Sequence, residues 1–374
     1  MPYDVVPYEP ELEPEIVRLQ QHFYRDAARS AAYFRWKYAE NPFLDQTILQ
    51  LAVSAGRVVA MRGMFGAVWQ VDDPSTRHLL PCADDFVVDP EHRNRGVARL
   101  VLEATVAEGA RRDLRFALSF SAGPVTYVNS LATGWRAVGS YRTVQRERPS
   151  KGPPRWIRQV TGRWLRRLRL RGALDRVRSS LPAASRGPFD RLDRASRHDG
   201  RISLSRVPRP QDMAALIARL PWDGRIRHVR DAAYLAWRVR NPMREYRFLF
   251  CDDGGLQGYL VLQRSLLDDA DPELVNVADW EAADGHVAAA LLRAALDRGG
   301  FVCVQAWSIG IASERRDVLD AHGFVPAEES GIRARSRGLL VRRLADADER
   351  WSLGSRDLLR IDDWDLRMLY SMSA

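Results

Sequence analysis

The chain has 374 residues, of which 46% are hydrophobic and 28% charged, enough apolar mass for two cores of ordinary domain size. This composition excludes a disordered or fibrous chain, and no run approaches the roughly 18–20 uninterrupted apolar residues of a membrane-spanning helix. The formal charge is +9, yet residues 149–200 alone carry 14 Lys or Arg against 4 Asp, so the remainder is close to neutral and the basic character belongs to one segment. Residues 1–17 are acidic and proline-rich, without the basic start and apolar run of a secretory signal, which leads us to expect a cytoplasmic protein. Cys82, Cys251 and Cys303 sit singly in apolar runs and read as buried thiols; the seven His lack metal-ligand spacing, so no metal is expected.

In chain order, residues 11–39 have apolar positions at helical spacing, and Asn41-Pro42 stops the helix. A strand over 46–54, a Gly56 turn and a second strand over 58–70 form a hairpin. A further strand, 77–88, ends at Asp89-Pro90. The spacing then predicts a helix from about Val97 to Arg111, with Val97, Leu100, Val101, Ala104 and Ala107 on its buried face. A short strand over 114–120, a helix over about 124–132 and the pair Gly134-Trp135 lead into one last strand, 136–147.

The second half repeats this order. Tyr33-Phe34-Arg35-Trp36 before Asn41-Pro42 is matched by Tyr234-Leu235-Ala236-Trp237 before Asn241-Pro242. A hairpin recurs over 246–265, and Ala83-Asp84-Asp85 is matched by Ala278-Asp279-Trp280. A helix (286–298), a strand (301–307), a helix (313–321) and His322-Gly323-Phe324 follow. The expectation is an α+β protein with mixed sheets: a module over 1–148, a basic helical insert over 149–200, a second module over 201–345 and a tail over 346–374.

The segment Val87-Val88-Asp89-Pro90-Glu91-His92-Arg93-Asn94-Arg95-Gly96-Val97-Ala98 reads as strand, loop and helix start. Small residues at Gly96 and Ala98 let a ligand approach the backbone, and a helix beginning there offers free N–H groups and the positive end of its dipole. Arg93 and Arg95 add charge. Together they form an anion site suited to a pyrophosphate. The segment resembles the acyl-coenzyme A loop of the GNAT superfamily of N-acetyltransferases, (Arg/Gln)-x-x-Gly-x-(Gly/Ala), and Gly134-Trp135 resembles that family's Gly-Phe step.

The resemblance implies two tandem GNAT-like modules, each a mostly antiparallel sheet with flanking helices, and transfer from acetyl-CoA or another acyl-CoA to an amine of a small molecule or sugar precursor. The cofactor-binding residues it implies are Val87, Val88 and Arg93 through Ala98, with Asn129 on the pantetheine arm. Asp84 or Asp85 would be the base; strand alternation lets only one of them face the cleft. Tyr127 is the candidate acid, one to two helical positions earlier than the family places it. The second module has Glu281-Ala282-Ala283-Asp284-Gly285-His286 in place of the loop, and its two carboxylates oppose a pyrophosphate, so no CoA is expected there. Two alternatives stand beside this reading: a Fem-like aminoacyltransferase drawing on aminoacyl-tRNA, and a non-catalytic scaffold or sensor.

Tyr33, Trp36, Tyr234 and Trp237 are at helical spacing and read first as core. The tail stretch Arg350–Asp357 resembles an ending found in tandem GNAT-like proteins of bacterial surface-polysaccharide gene sets. The insert's 155–178 stretch has nine Arg and one Asp interleaved with Trp156 and Trp164. It suits an anionic membrane surface, a nucleic acid such as tRNA, or a helix packed on the two modules.

Overall fold

A computed structural model describes residues 3–43, 47–148, 188–195, 198–267, 270–327, 338–345 and 350–372. The basic stretch 155–178, with its membrane and nucleic-acid readings, lies outside these residues. Among the described residues no helix is long and apolar enough to cross a membrane.

The first half begins with β1 (Asp4–Pro7), α1 (Glu13–Gln20) and α2 (Ala27–Tyr38), followed by β2 (Ile48–Ser54) and β3 (Arg57–Phe65). Asp26 caps α2 by accepting from the Arg29 N–H at 3.0 Å. A hairpin of β4 (Val68–Val71) and β5 (Asp73–Leu79) leads to β6 (Cys82–Val88), α3 (Val97–Arg111), β7 (Phe116–Ser119), α4 (Pro124–Ala132), β8 (Arg136–Ser140) and β9 (Thr143–Glu147). The expected single strand over 136–147 is thus two, broken at Tyr141-Arg142. The buried stripe of α3 is Val97, Val101, Thr105 and Gly109, an i, i+4 row, whereas Leu100 is 38% exposed. Val97 and Val101 are buried as expected, but Leu100, Ala104 and Ala107 are not, because the helix turns Thr105 and Gly109 inward in their place.

The second half contributes α5 (Phe189–Arg194), β10 (His198–Asp199), β11 (Ile202–Ser205), α6 (Pro210–Arg219), β12 (Arg227–His228) and α7 (Ala232–Arg238). Next come β13 (Arg244–Asp252), β14 (Leu256–Ser265), β15 (Leu274–Ala282), α8 (Gly285–Gly299), β16 (Cys303–Trp307), α9 (Ser313–Ala321), β17 (Val325–Pro326) and β18 (Gly338–Arg343). A small hairpin of β19 (Ser352–Leu353) and β20 (Arg356–Asp357) opens the tail.

The sheets do not follow the halves of the chain. One sheet runs β1-β2-β3-β6-β7-β18-β8 and the other β10-β11-β13-β14-β15-β16-β9-β17. Strand β18, from the second half, lies between β7 and β8 of the first, pairing Leu340 with Ser119 on one side and Gly338 with Ser140 on the other. Strand β9 returns the arrangement, pairing Cys303 with Glu147 and Val325 with Gln145. The halves trade their last strands, so residues 143–147 belong to the second sheet and residues 338–343 to the first.

The largest buried cluster accordingly spans both modules, joining Tyr33, Trp36, Trp69, Phe120 and Tyr141 to Tyr234, Trp237, Trp307 and Tyr370. At its centre Trp36 and Trp237 stack at 4.7 Å and 10°. Each indole N–H donates to the other's backbone carbonyl, at 2.8 and 2.7 Å. The repeated Asn-Pro corners also act alike: Asn41 Oδ1 accepts from the Phe43 N–H at 2.8 Å, and Asn241 Oδ1 from the Met243 N–H at 2.9 Å. All four repeat aromatics are core, as the spacing predicts.

The traded strands have a direct test. A protease site engineered into 149–187 and cut under native conditions should leave two fragments that co-elute in size-exclusion chromatography and part only in denaturant. Separation without denaturant would contradict the observed pairing.

Candidate active site

Strands β6 and β7 are parallel and meet at a single pair, Cys82 with Leu118, after which they diverge. Among the described residues, the edge of β6 beyond Cys82 has no neighbouring strand on that side. On the other side β6 is paired to β3, with a register shift between Met61 and Gly63 where Asp85 takes φ +50°. This bulge cancels strand alternation. Asp84 and Asp85 do not face opposite ways as expected: both carboxylates reach Lys37 Nζ, at 2.6 and 2.9 Å.

Lys37 is fully buried, and its Nζ lies 4.3 Å from the Tyr33 ring centroid. Tyr38 donates to Asp85 Oδ2 at 2.8 Å, and Ser121, just past β7, donates to Asp84 Oδ1 at 2.6 Å. Burial opposes the Lys37 ammonium, but the two carboxylates outweigh it and hold its pKa above the usual value. Burial also opposes charge on Asp84, yet Lys37 and the Ser121 hydroxyl keep that carboxyl below its ordinary range. For Asp85, burial and the neighbouring Asp84 charge prevail over Lys37 and Tyr38, and its pKa is raised. The two neighbouring carboxyls are thus pushed in opposite directions by their surroundings.

Asp89 caps the short turn Pro90–His92 through the Glu91 N–H at 3.1 Å, and Arg93 Nε donates back to the Val88 carbonyl at 3.3 Å. Gly96, with φ +80°, is the N-cap of α3, and no side chain caps the first turn. A Cβ built on Gly96 would meet nothing within 4 Å. Arg93, Asn94 and Arg95 are exposed around this helix start, while Val97 is buried against Ala52, Val59 and Ala60 and Ala98 is half-buried. Val87 is buried in the large core cluster, on the other side of β6, and Val88 is partly buried against the cluster of Val97 and Val101. On α4, Tyr127 packs on the cluster of Met64, Ala83, Trp135 and Leu340, and Asn129 is exposed. No hydrogen bond joins Tyr127 to the aspartates among the described residues.

The second module differs at the corresponding places. Asp284 caps α8 by accepting from the Val287 N–H at 2.8 Å, so a carboxylate already occupies that helix start. Glu281 does not face it, contrary to expectation. It points inward to Arg230 (2.7 Å), Arg315 (2.8 Å) and Arg367 (2.9 Å), since three guanidinium groups compensate its burial. The tail motif is a clip: Ser355 donates to Asp72 through its N–H at 2.7 Å and its hydroxyl at 2.5 Å, and Arg356 Nη2 donates to the Asp223 carbonyl at 2.6 Å. The three cysteines are buried and free, and no group of metal-ligating side chains occurs among the described residues.

The sequence reading missed Lys37, Tyr38 and Ser121. The available signal was a lone lysine inside the aromatic run Tyr33-Phe34-Arg35-Trp36-Lys37-Tyr38, four residues after Tyr33. Replacing Lys37 by Met leaves two buried carboxylates without their cation and should cost about 3–5 kcal/mol at pH 7. The loss should shrink as pH falls toward 4, where the unpaired carboxyls of the variant take up protons; urea unfolding at the two pH values measures it.

No protein-family model matches the chain, and no curated protein matches it. Solved structures do. A conserved protein of unknown function from Enterococcus faecalis V583, described as a probable N-acyltransferase, aligns at 9% identity over 92% of this chain and 73% of its own, with a TM-score of 0.56. A GCN5-related N-acetyltransferase from Anabaena variabilis ATCC 29413 aligns at 12% identity over 92% and 73%, with a TM-score of 0.52. A tandem GNAT protein from the clavulanic acid biosynthesis pathway aligns at 14% identity over 93% of this chain and 100% of its own, with a TM-score of 0.50. At these identities the likeness is one of fold. The chain has the GNAT fold, built twice in tandem and completed by two traded strands.

Proposed function

We propose that the first module is an acyl-CoA-dependent N-acyltransferase acting on the amine of a small molecule or sugar precursor. The observation that carries this reading is the joint presence, on one strand–loop–helix unit, of an open strand edge, a buried carboxylate pair and an uncapped helix start. The α3 end fits a pyrophosphate: it has no side-chain cap, open space at Gly96, and Arg93 and Arg95 beside it. Acyl-CoA, when bound, supplies an activated thioester. The residues named for holding it are Arg93 through Ala98, with Val87 and Val88 on the strand edge and Asn129 toward the pantetheine arm.

The attacking amine must lose a proton, and the Asp84–Asp85 pair is the acceptor nearest the strand opening. Asp85 is the member suited to the task, because its raised pKa brings it closer to neutrality, while Lys37 and Ser121 hold Asp84 as a fixed negative charge. Backbone N–H groups on the open edge of β6 are placed to polarise a carbonyl in the gap. Tyr127 is carried as proton donor to the departing thiolate on the family resemblance alone.

Calorimetry should show micromolar acetyl-CoA binding to the wild type, lost by at least about 100-fold in Gly96→Glu, which puts bulk and negative charge at the helix start. Failure of the wild type to bind acetyl-, succinyl- or long-chain CoA would sink the reading. In thiol-release assays with a panel of amines, Asp85→Asn should lower kcat/KM by about 10²–10⁴-fold. Wild-type activity should rise with pH through the Asp85 ionisation, above the ordinary carboxylate range, and that limb should vanish in Asp85→Asn.

A further inference from the structure

The second module has its own strand opening, and it is filled. Strands β15 and β16 pair over Leu274–Asn276 with Cys303–Gln305 and then part. Residues 364–370 of the tail enter the gap, where Leu366, Arg367 and Met368 share a residual cavity of about 30 Å³ with Asp279, Trp280 and Trp307. That is room for a water molecule or two. The tail backbone is fixed on both sides: the Ile226 N–H donates to the Asp363 carbonyl and the Asp365 N–H to the Ile226 carbonyl, each at 2.8 Å. On the far side it passes so close to Gly310 that a Cβ there would lie 2.5 Å from the Trp364 carbonyl oxygen and 2.7 Å from the Leu366 nitrogen.

Side-chain chemistry fits the segment to this place. Arg367 is 6% exposed and pairs with Glu281 at 2.9 Å, Asp365 at 3.0 Å and Asp279 at 3.5 Å. Arg230 meets the same two module carboxylates at 2.8 and 2.7 Å, and Arg315 meets Glu281. The segment brings one cation, Arg367, and one anion, Asp365, so its docking leaves the buried network balanced.

Asp279 is the repeat counterpart of Asp84, and Arg238, which follows Trp237, is the counterpart of Lys37, which follows Trp36. In the first module the cation holds the aspartates. In the second, fully buried Arg238 donates instead to the Leu369 and Ser371 carbonyls, both at 2.6 Å, and Arg244 to the Met372 carbonyl at 3.0 Å. Ser371 Oγ in turn lies 3.5 Å from the Phe120 carbonyl, one residue before the Ser121 that donates to Asp84.

We propose that the strand opening of the second module is a binding site for the chain's own segment 364–372, latched by Arg367, and that the docked segment positions the Phe120–Ser121 wall of the Asp84–Asp85 site. Only the importance of that wall rests on the acyltransferase reading; occupancy of the opening does not.

The test is amide hydrogen exchange and acetyl-CoA calorimetry on full-length wild type and Arg367→Leu. In the variant, amides of 364–372 should exchange at least about tenfold faster, those of Phe120 and Ser121 should follow, and acetyl-CoA affinity should stay within about twofold. Unchanged protection over 364–372 would overturn the latch, and unchanged protection at Phe120–Ser121 would overturn the positioning role. Binding of two acetyl-CoA per wild-type chain would show that the second opening accepts the nucleotide and would also overturn the proposal. If Arg367→Leu does not fold, Arg367→Lys, which keeps charge but loses the planar fork, should give an intermediate acceleration. Failure of the wild type to bind any acyl-CoA would remove the acyltransferase reading and leave the exchange result standing.

Discussion

Each sheet is held shut by a strand that the other half of the chain provides. Without β18, β8 would be cut off from β7 and the first sheet would lose its end, and the same holds for β17 and β16 without β9. A gap of that kind exposes unpaired backbone groups in a core, which is among the costliest defects a fold can carry. The two halves therefore close together or not at all. The shared core follows from the same constraint, because Tyr141, at the crossing between β8 and β9, stacks on Trp307 at 4.0 Å as the chain passes from one sheet to the other. Contacts this distant in sequence also make folding slow relative to a chain of independent modules.

Within this common frame the two copies have opposite interiors. The first has no side-chain cap at its helix start and parts β6 from β7 after a single pair, with two carboxylates held by one lysine. The second caps its helix with Asp284 and buries its carboxylates among three arginines. One fold thus carries two different interiors, and the difference lies in a handful of side chains.

Much of this plan was legible in the chain itself. The order of elements, the repeat and the helix that starts at Gly96 all rest on short-range signals: periodicity, Asn-Pro corners and a glycine at a helix start. The traded strands were not legible, since alternation along 136–147 says that a strand exists but not which sheet receives it. Asp85 gave no sign of its bulge because an aspartate in the left-handed region leaves no mark on neighbouring residues. Lys37 was passed over because a charged residue on a surface helix ordinarily points to water, and only the fold shows two carboxylates waiting beneath it. Arg367 stayed silent for the same reason, its partners lying in a distant strand.

The reciprocal tryptophans carry a geometric meaning. A contact in which each of two equivalent residues does to the other what is done to it is the mark of a twofold axis, and strand trading between equivalent partners is the mark of a domain-swapped dimer. Here the two modules meet in that way inside one polypeptide. Symmetry in a homodimer obliges any substitution to appear in both subunits at once. A single chain carries no such obligation: Lys37 lies beside Asp84 and Asp85 in one module, and its counterpart Arg238 donates to tail carbonyls in the other. The axis is visible at Trp36 and Trp237, where each half of the chain makes the same contact with the other.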